Sequence, residues 1–198
     1  MSVPVNEAYR DWKPPAWVRP TVCRLLEGVD SRYSSGLDAV VLTNVGALNS
    51  QRKRGKTWSR RHKVSLAHCR GLYHPRHQSQ GAWIEVFVDQ VLKGTPSWIC
   101  AVPLLRELHF ADTLFHELGH HIHRTQAPEF REREDVADAW RLRLGQEMFR
   151  TRHPHLRLAL RPFRPLISVA KRFIGRHLSR TQKKSGNNEV AVPRRSAT

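Results

Sequence analysis

The chain has few cysteines, few acids and no long apolar run, and each shortage excludes something. Its three cysteines, Cys23, Cys69 and Cys100, are widely spaced and form no C-x-x-C pair. That argues against a disulfide framework or a zinc ribbon and fits a reducing compartment, so a cytoplasmic location is expected. Each cysteine then reads as a small apolar side chain. No stretch approaches the ~20 apolar residues of a membrane-spanning helix. The opening MSVPVNEAYRDWKPPAW shows no basic region followed by an apolar one, so no secretory signal is expected. Acids are outnumbered, 17 Asp/Glu against 34 Lys/Arg, which leaves a formal charge of +17. The excess is uneven. Residues 141–198 hold 15 Lys/Arg against only Glu147 and Glu189, and QRKRGKTWSRRHK (51–63) adds seven more basic residues. Such a field attracts polyanions, either nucleic acid or an anionic membrane surface, at long range. It says nothing about chemistry.

What is present suffices for one domain: 39% of 198 residues are apolar, six of them tryptophan. Three regions are expected. Residues 1–30 form an extended and short helical segment, proline-rich at first, anchored by Trp12 and Trp17 and closed at Gly28. Residues 31–150 form the main domain. Residues 151–198 form a basic extension, partly disordered, in which LISVAKRFIGRHL (166–178) has the pattern of an amphipathic helix.

Within the main domain, LDAVVLTNV (37–45) reads as a strand, 50–63 as a hairpin loop around Gly55, and 64–74 as a strand broken at Gly71. GAWIEVFVDQVL (81–92) alternates cleanly and is the strongest strand. From Leu104 the period changes from two to 3.6. Leu108, Ala111, Leu114, Phe115, Leu118 and Ile122 then share one side of a helix reaching about Arg124. A second helix is expected over 131–150, with Val136, Ala137, Trp140, Leu144 and Phe149 inward. Strands followed by helices predict an α+β fold.

The chemistry lies in LFHELGHHIHR (114–124). His116-Glu117-Leu118-Gly119-His120 is H-E-x-x-H, and on a helix positions i and i+4 stand one turn apart on one face. Two imidazoles then reach one ion, while Glu117 projects nearby, able to take a proton from metal-bound water. A buried histidine pair is costly unless something such as a metal receives both rings. The longer form with a third histidine is excluded, because Gln126 occupies the position it requires. A carboxylate fits better as third ligand. EREDVADAW (132–140) places Glu134 and Asp138 on one face, anchored by Val136, Ala137 and Trp140. We assign His116, His120 and Glu134 as ligands of Zn2+, with Asp135 and Asp138 as rivals to Glu134. A salt bridge from Glu134 to Arg131 is the non-functional alternative. Asp138 is expected to accept the second ring N–H of a ligand histidine, His116 being favoured. His121 and His123 are expected off that face, exposed or in a second layer.

H-E-L-G-H followed by E-x-x-A-D-x-W resembles the gluzincin class of zinc metallopeptidases, in particular its compact, minigluzincin-like members. The resemblance covers about a third of the chain. It implies a zincin-like fold, a small mixed sheet with an active-site helix and a glutamate-bearing helix, and an edge strand that binds extended peptide. It implies hydrolysis of peptide bonds, with the same roles for His116, Glu117, His120, Glu134 and Asp138. We expect the strand at 83–88 to serve as that edge. Tyr73, His74 and His109 are the candidates to stabilise an oxyanion. The competing expectation is a non-catalytic metal-binding module whose basic segments, 51–63 and 141–198, hold nucleic acid or an anionic membrane.

Overall fold

In the computed structural model, which describes residues 3–59, 62–128 and 134–154, the sheet is built from short stretches of four to seven residues. β1 (Val5–Ala8) comes first, followed by α1 (Val18–Glu27) and the single turn α2 (Ser31–Ser34). β2 (Leu37–Thr43) runs parallel to β1, with Thr43 Oγ1 donating to Ala8 O at 2.8 Å. α3 (Ser50–Arg54) leads into an antiparallel hairpin of β3 (Lys56–Ser59) and β4 (His62–Ser65). β5 (Gly71–His74) and β6 (Ala82–Phe87) complete the main sheet. Its order is β1-β2-β6-β5, with β6 parallel to β2 and antiparallel to β5. Two short helices, α4 (Val88–Leu92) and α5 (Ser97–Ala101), then lead to the long α6 (Pro103–Gln126) and to α7 (Glu134–Arg152).

The fold is α+β with a small mixed sheet, as the sequence led us to expect. The described residues up to Arg152 form one compact unit. The expected helix at 166–178 and the tail after it lie outside the described residues. No helix among the described residues is long and apolar enough to cross a membrane.

Two local expectations shift. Gly55 does not turn the hairpin; it ends α3, and the strands pair beyond it, with Ser59 opposite His62. The stretch 64–74 is not one strand, because a 3-10 turn at Leu66–His68, capped by Ser65, separates β4 from β5.

The edge assignment is corrected. β6 is central, hydrogen-bonded to β2 on one side and β5 on the other, and the open edges among the described strands are β1 and β5. Its burial explains why: Ile84, Glu85, Val86 and Phe87 are all buried, so both faces of the strand are covered. Glu85 is only 4% exposed, so its charge must be met. Arg52 donates to both carboxylate oxygens, at 3.1 and 2.5 Å, and His74 Nε2 donates at 3.1 Å while its ring stacks on Trp83 at 3.8 Å. Burial pushes the Glu85 carboxyl up. The bonds from His74 and Arg52 and their charges outweigh it and hold the group below the ordinary carboxylate range. This cluster fixes the short β5 to β6.

The core lies between the sheet and the helices. Val18, Val22 and Leu25 of α1 meet Val40, Leu42, Ile84 and Val86 of the sheet and Phe110, Leu114, Leu118 and Ile122 of α6. Leu108, expected among the inward residues of α6, is 38% exposed, and Phe110 takes that place. α6 meets α7 at Gly119. A Cβ there would stand 2.8 Å from Ala137 O and 2.9 Å from Ala137 Cα, so the two backbones touch where a side chain is missing.

Two outcomes follow from this packing. Gly119→Ala should lose about 1–3 kcal/mol despite alanine's better helix propensity, because the new methyl meets backbone that cannot rotate away. Gly145→Ala, where a Cβ meets nothing within 4 Å, should gain up to about 1 kcal/mol. Thermal melts of the two variants read the difference in sign. For Glu85, a depressed folded-state pKa means a contribution that is complete above the unfolded value, about 4.3, and lost as pH falls through the folded one. Urea unfolding across the acid range should show Glu85→Gln with lower stability near neutrality and a flatter acid limb.

Candidate metal centre

α6 presents two adjacent stripes to two different neighbours. Thr113, Glu117 and His121, spaced by four, face β5: a Cβ on Gly71 would overlap Glu117 Cγ and Oε1 and Thr113 Cγ2 at 2.7, 2.8 and 2.9 Å, and Tyr73 meets His121. His116 and His120 lie one step round the helix. The α7 contact at Gly119 brings Glu134 and Asp138 to that stripe.

The donors converge. His116 Nε2 stands 3.3 Å from His120 Nε2 and 3.4 Å from Glu134 Oε2, and ligand atoms of all three residues lie within 4.8 Å of one another. Bonds of ~2.0–2.1 Å in a tetrahedron put neighbouring donors ~3.3–3.4 Å apart, so the two short separations are those an ion such as zinc requires. The two rings are perpendicular, at 89°.

Asp138 Oδ1 lies 3.1 Å from His116 Nδ1. A carboxylate can only accept, so Nδ1 carries the proton and the Nε2 lone pair points at His120 and Glu134. Burial, followed by the neighbouring His120, lowers the His116 pKa despite the opposing pull of Glu134 and Asp138. The ring is therefore neutral near pH 7, and a lone pair facing a carboxylate oxygen is repulsive without a cation between them. The donor set fits a divalent ion better than it fits an ion pair.

Glu117 is 8% exposed and sits beside this cluster, packed on Gly71. Cys69, which precedes β5, feels the Glu117 charge, but burial comes first in pushing its thiol up to about 11. It stays a neutral thiol and is no nucleophile.

The neighbouring histidines differ from expectation. His121 is 1% exposed, with Nε2 2.9 Å from Ser35 O and Nδ1 3.3 Å from Tyr73 Oη. The carbonyl can only accept, so Nε2 holds the proton and the tyrosine hydroxyl donates to Nδ1. Burial keeps this ring neutral too, against the Ser35 carbonyl, which favours the charged form. His123 is also buried, and its Nε2 meets no hydrogen-bond partner. Seven helical steps return nearly to the starting direction, so His123 belongs on the stripe of His116, two turns on.

The three oxyanion candidates are all occupied in the fold. Tyr73 serves His121 and His74 serves Glu85. His109 Nε2 lies 2.7 Å from Val91 O and 2.9 Å from Thr95 Oγ1. Arg131, the alternative partner for Glu134, lies outside the described residues. The sequence reading missed Gly71 as the point where Glu117 meets the edge strand, although its glycine was visible as a break. It also missed the Tyr73–His121 bond, which joins residues 48 positions apart.

The fold and the site together define an α+β protein in which two histidines of α6 and one carboxylate of α7 form a cluster that could hold a metal ion. Comparison with protein families, with characterised proteins and with solved structures finds no match for this chain.

Elemental mass spectrometry of the purified, reconstituted protein should find about one divalent ion per chain. Glu134→Ala should lose it, and Asp138→Ala should weaken its binding by roughly 10–100-fold by removing the acceptor that orients His116. A wild type that takes up no metal after reconstitution would reduce the cluster to a structural ion pair.

Proposed function

We propose that the chain is a zinc-dependent metallopeptidase, zincin-like and of the gluzincin kind, that hydrolyses peptide bonds in a peptide or protein substrate. The observation that carries this reading is the placement of Glu117. One carboxylate stands between a convergent His116–His120–Glu134 donor set and the open edge strand β5. A structural metal site needs no such buried acid beside it, and closes its coordination with a fourth protein ligand, whereas three donors gather among the described residues.

Zinc bound by these three residues would supply a water with a pKa near about 7 and polarise a substrate carbonyl. The work of the chain itself is positional and protolytic. Asp138 holds the His116 tautomer, so the imidazole presents Nε2 and not N–H. Glu117 takes the proton from the attacking water and returns it to the departing amine. Its burial against Gly71 keeps bulk water from competing for that proton. β5 is an outer strand among the described ones, and an extended peptide would add beside it as a further strand. The corrected edge supports the reading better than the expected one, because β5, and not β6, is the strand that touches Glu117. The three free cysteines are compatible with work in the cytoplasm.

Glu117→Gln should retain the metal and lose peptide hydrolysis by about 10²–10⁴-fold, since the amide keeps the shape and cannot take a proton. Cleavage of a mixed peptide pool, followed by mass spectrometry beside metal content, checks both halves. Retained hydrolysis in the variant would assign the activity elsewhere.

A further inference from the structure

The 46 positions between Asp38 and Glu85 contain no acid. They hold Arg52, Lys53, Arg54, Lys56, Arg60, Arg61, Lys63, Arg70 and Arg76. Glu85, which closes the stretch, is buried and engaged by Arg52 and His74, so it offers little charge to the surface. Asp38, which opens it, lies against Gly81, at the end of β6 away from Gly71. The described cations are placed around β5. Arg70 stands immediately before the strand, its carbonyl fixed by Phe87 N–H at 2.8 Å, and Arg76 follows two residues after it. Arg70 and Arg76 are exposed, as are Lys53, Arg54 and Lys56 on and just beyond α3. Gly71, the strand's first residue, is the one that touches Glu117.

We infer that the cleft selects acidic peptides: an extended substrate paired along β5 places carboxylates beside Arg70 and Arg76, at either end of the strand that borders Glu117. This rests on the proposed peptidase reading and names the substrate class of that same site. Glu134 and Asp138 are held in the donor cluster, and Asp112 is paired with Arg141. Arg70 and Arg76 are the exposed charged residues that flank β5 in the chain.

A nucleic acid fits the same charge less well. Its bases need aromatic platforms, and one pair in this region, His74 and Trp83, is stacked face to face at 8° and closed on itself. A strand edge, in contrast, pairs with backbone amides that only a polypeptide carries.

The test uses the full chain, zinc-loaded, and three ten-residue peptides that differ only in being glutamate-rich, glutamine-rich or lysine-rich. Binding is read by fluorescence anisotropy on the inert Glu117→Gln variant, and cleavage on the wild type. The acidic peptide should bind at least about 10-fold tighter than the neutral one at low salt, and the difference should shrink at high salt. Arg70→Glu with Arg76→Glu should abolish or reverse that ratio, and the milder pair Arg70→Gln with Arg76→Gln should reduce it. Equal binding of acidic and neutral peptides, or a preference that survives both double variants, would overturn the inference even if every peptide is cleaved. A single-stranded oligonucleotide that binds more tightly than the acidic peptide, and loses that binding in the same variants, would overturn it in favour of nucleic acid. Preferential acidic binding with no cleavage of any peptide would leave the surface standing and sink the peptidase reading instead.

Discussion

Everything at the candidate metal centre depends on how closely α6 and α7 approach, and that distance is set by a missing side chain. At Gly119 the backbone of Ala137 lies where a Cβ would be. The close contact brings the first turn of α7 to the histidine stripe, so Glu134 and Asp138, one turn apart, both reach His116. A separation larger by the thickness of one methyl group would leave Glu134 short of its 3.4 Å position. The start of α7 also suits a carboxylate, because the unpaired N–H groups of a helix N-terminus favour negative charge. The opposite side of α6 is committed elsewhere, with Leu114, Leu118 and Ile122 buried in the core. One helix thus joins the sheet to the ligand-bearing helix, and its rotation is fixed from both sides.

In a chain with so few acids, the buried ones mark where structure demands them. Glu85 ties Arg52 and His74 to the central strand. Glu107, 8% exposed, receives Arg24 at 3.1 Å and Arg152 at 3.9 Å, linking α1, α6 and α7. Both are buried carboxylates met by guanidinium groups, whose planar donors suit such sites. Glu117 packs on Gly71 and neighbours, along the helix, the histidine cluster. Charge excess at the surface and charge neutrality in the interior are therefore separate features of one composition.

The sequence made some of this legible and hid the rest for identifiable reasons. The α6 period, the H-E-x-x-H spacing and the Glu134/Asp138 pair depend on relations within one or two helices, where the side-chain direction follows from 3.6 residues per turn. Edge or centre, in contrast, is a property of a strand's neighbours. GAWIEVF announces a strand but cannot announce that β2 and β5 flank it, while β5 is only GLYH, cut short by Pro75, and gives almost no signal. Gly55 looked like a hairpin turn because glycine serves turns and helix ends alike; Asn49, which caps α3 by accepting from Arg52 N–H, was the better clue to a helix. His121 lies off the ligand face as expected, but its burial was not legible because its partners, Ser35 and Tyr73, are 86 and 48 positions away.

Two neighbouring histidines show how identical side chains acquire opposite jobs. His116 gives its Nδ1 proton to Asp138 and keeps a lone pair on Nε2, the nitrogen that points to the cluster. His121 gives its Nε2 proton to a backbone carbonyl and keeps a lone pair on Nδ1, which receives the Tyr73 hydroxyl. Both rings are held neutral by burial, so neither difference comes from charge. It comes from which nitrogen meets the obligate acceptor. His121 in this way clamps the edge strand to the helix, and Glu117, one turn earlier on the same stripe, is thereby kept against Gly71. The acid that would move a proton is positioned by a histidine that moves none.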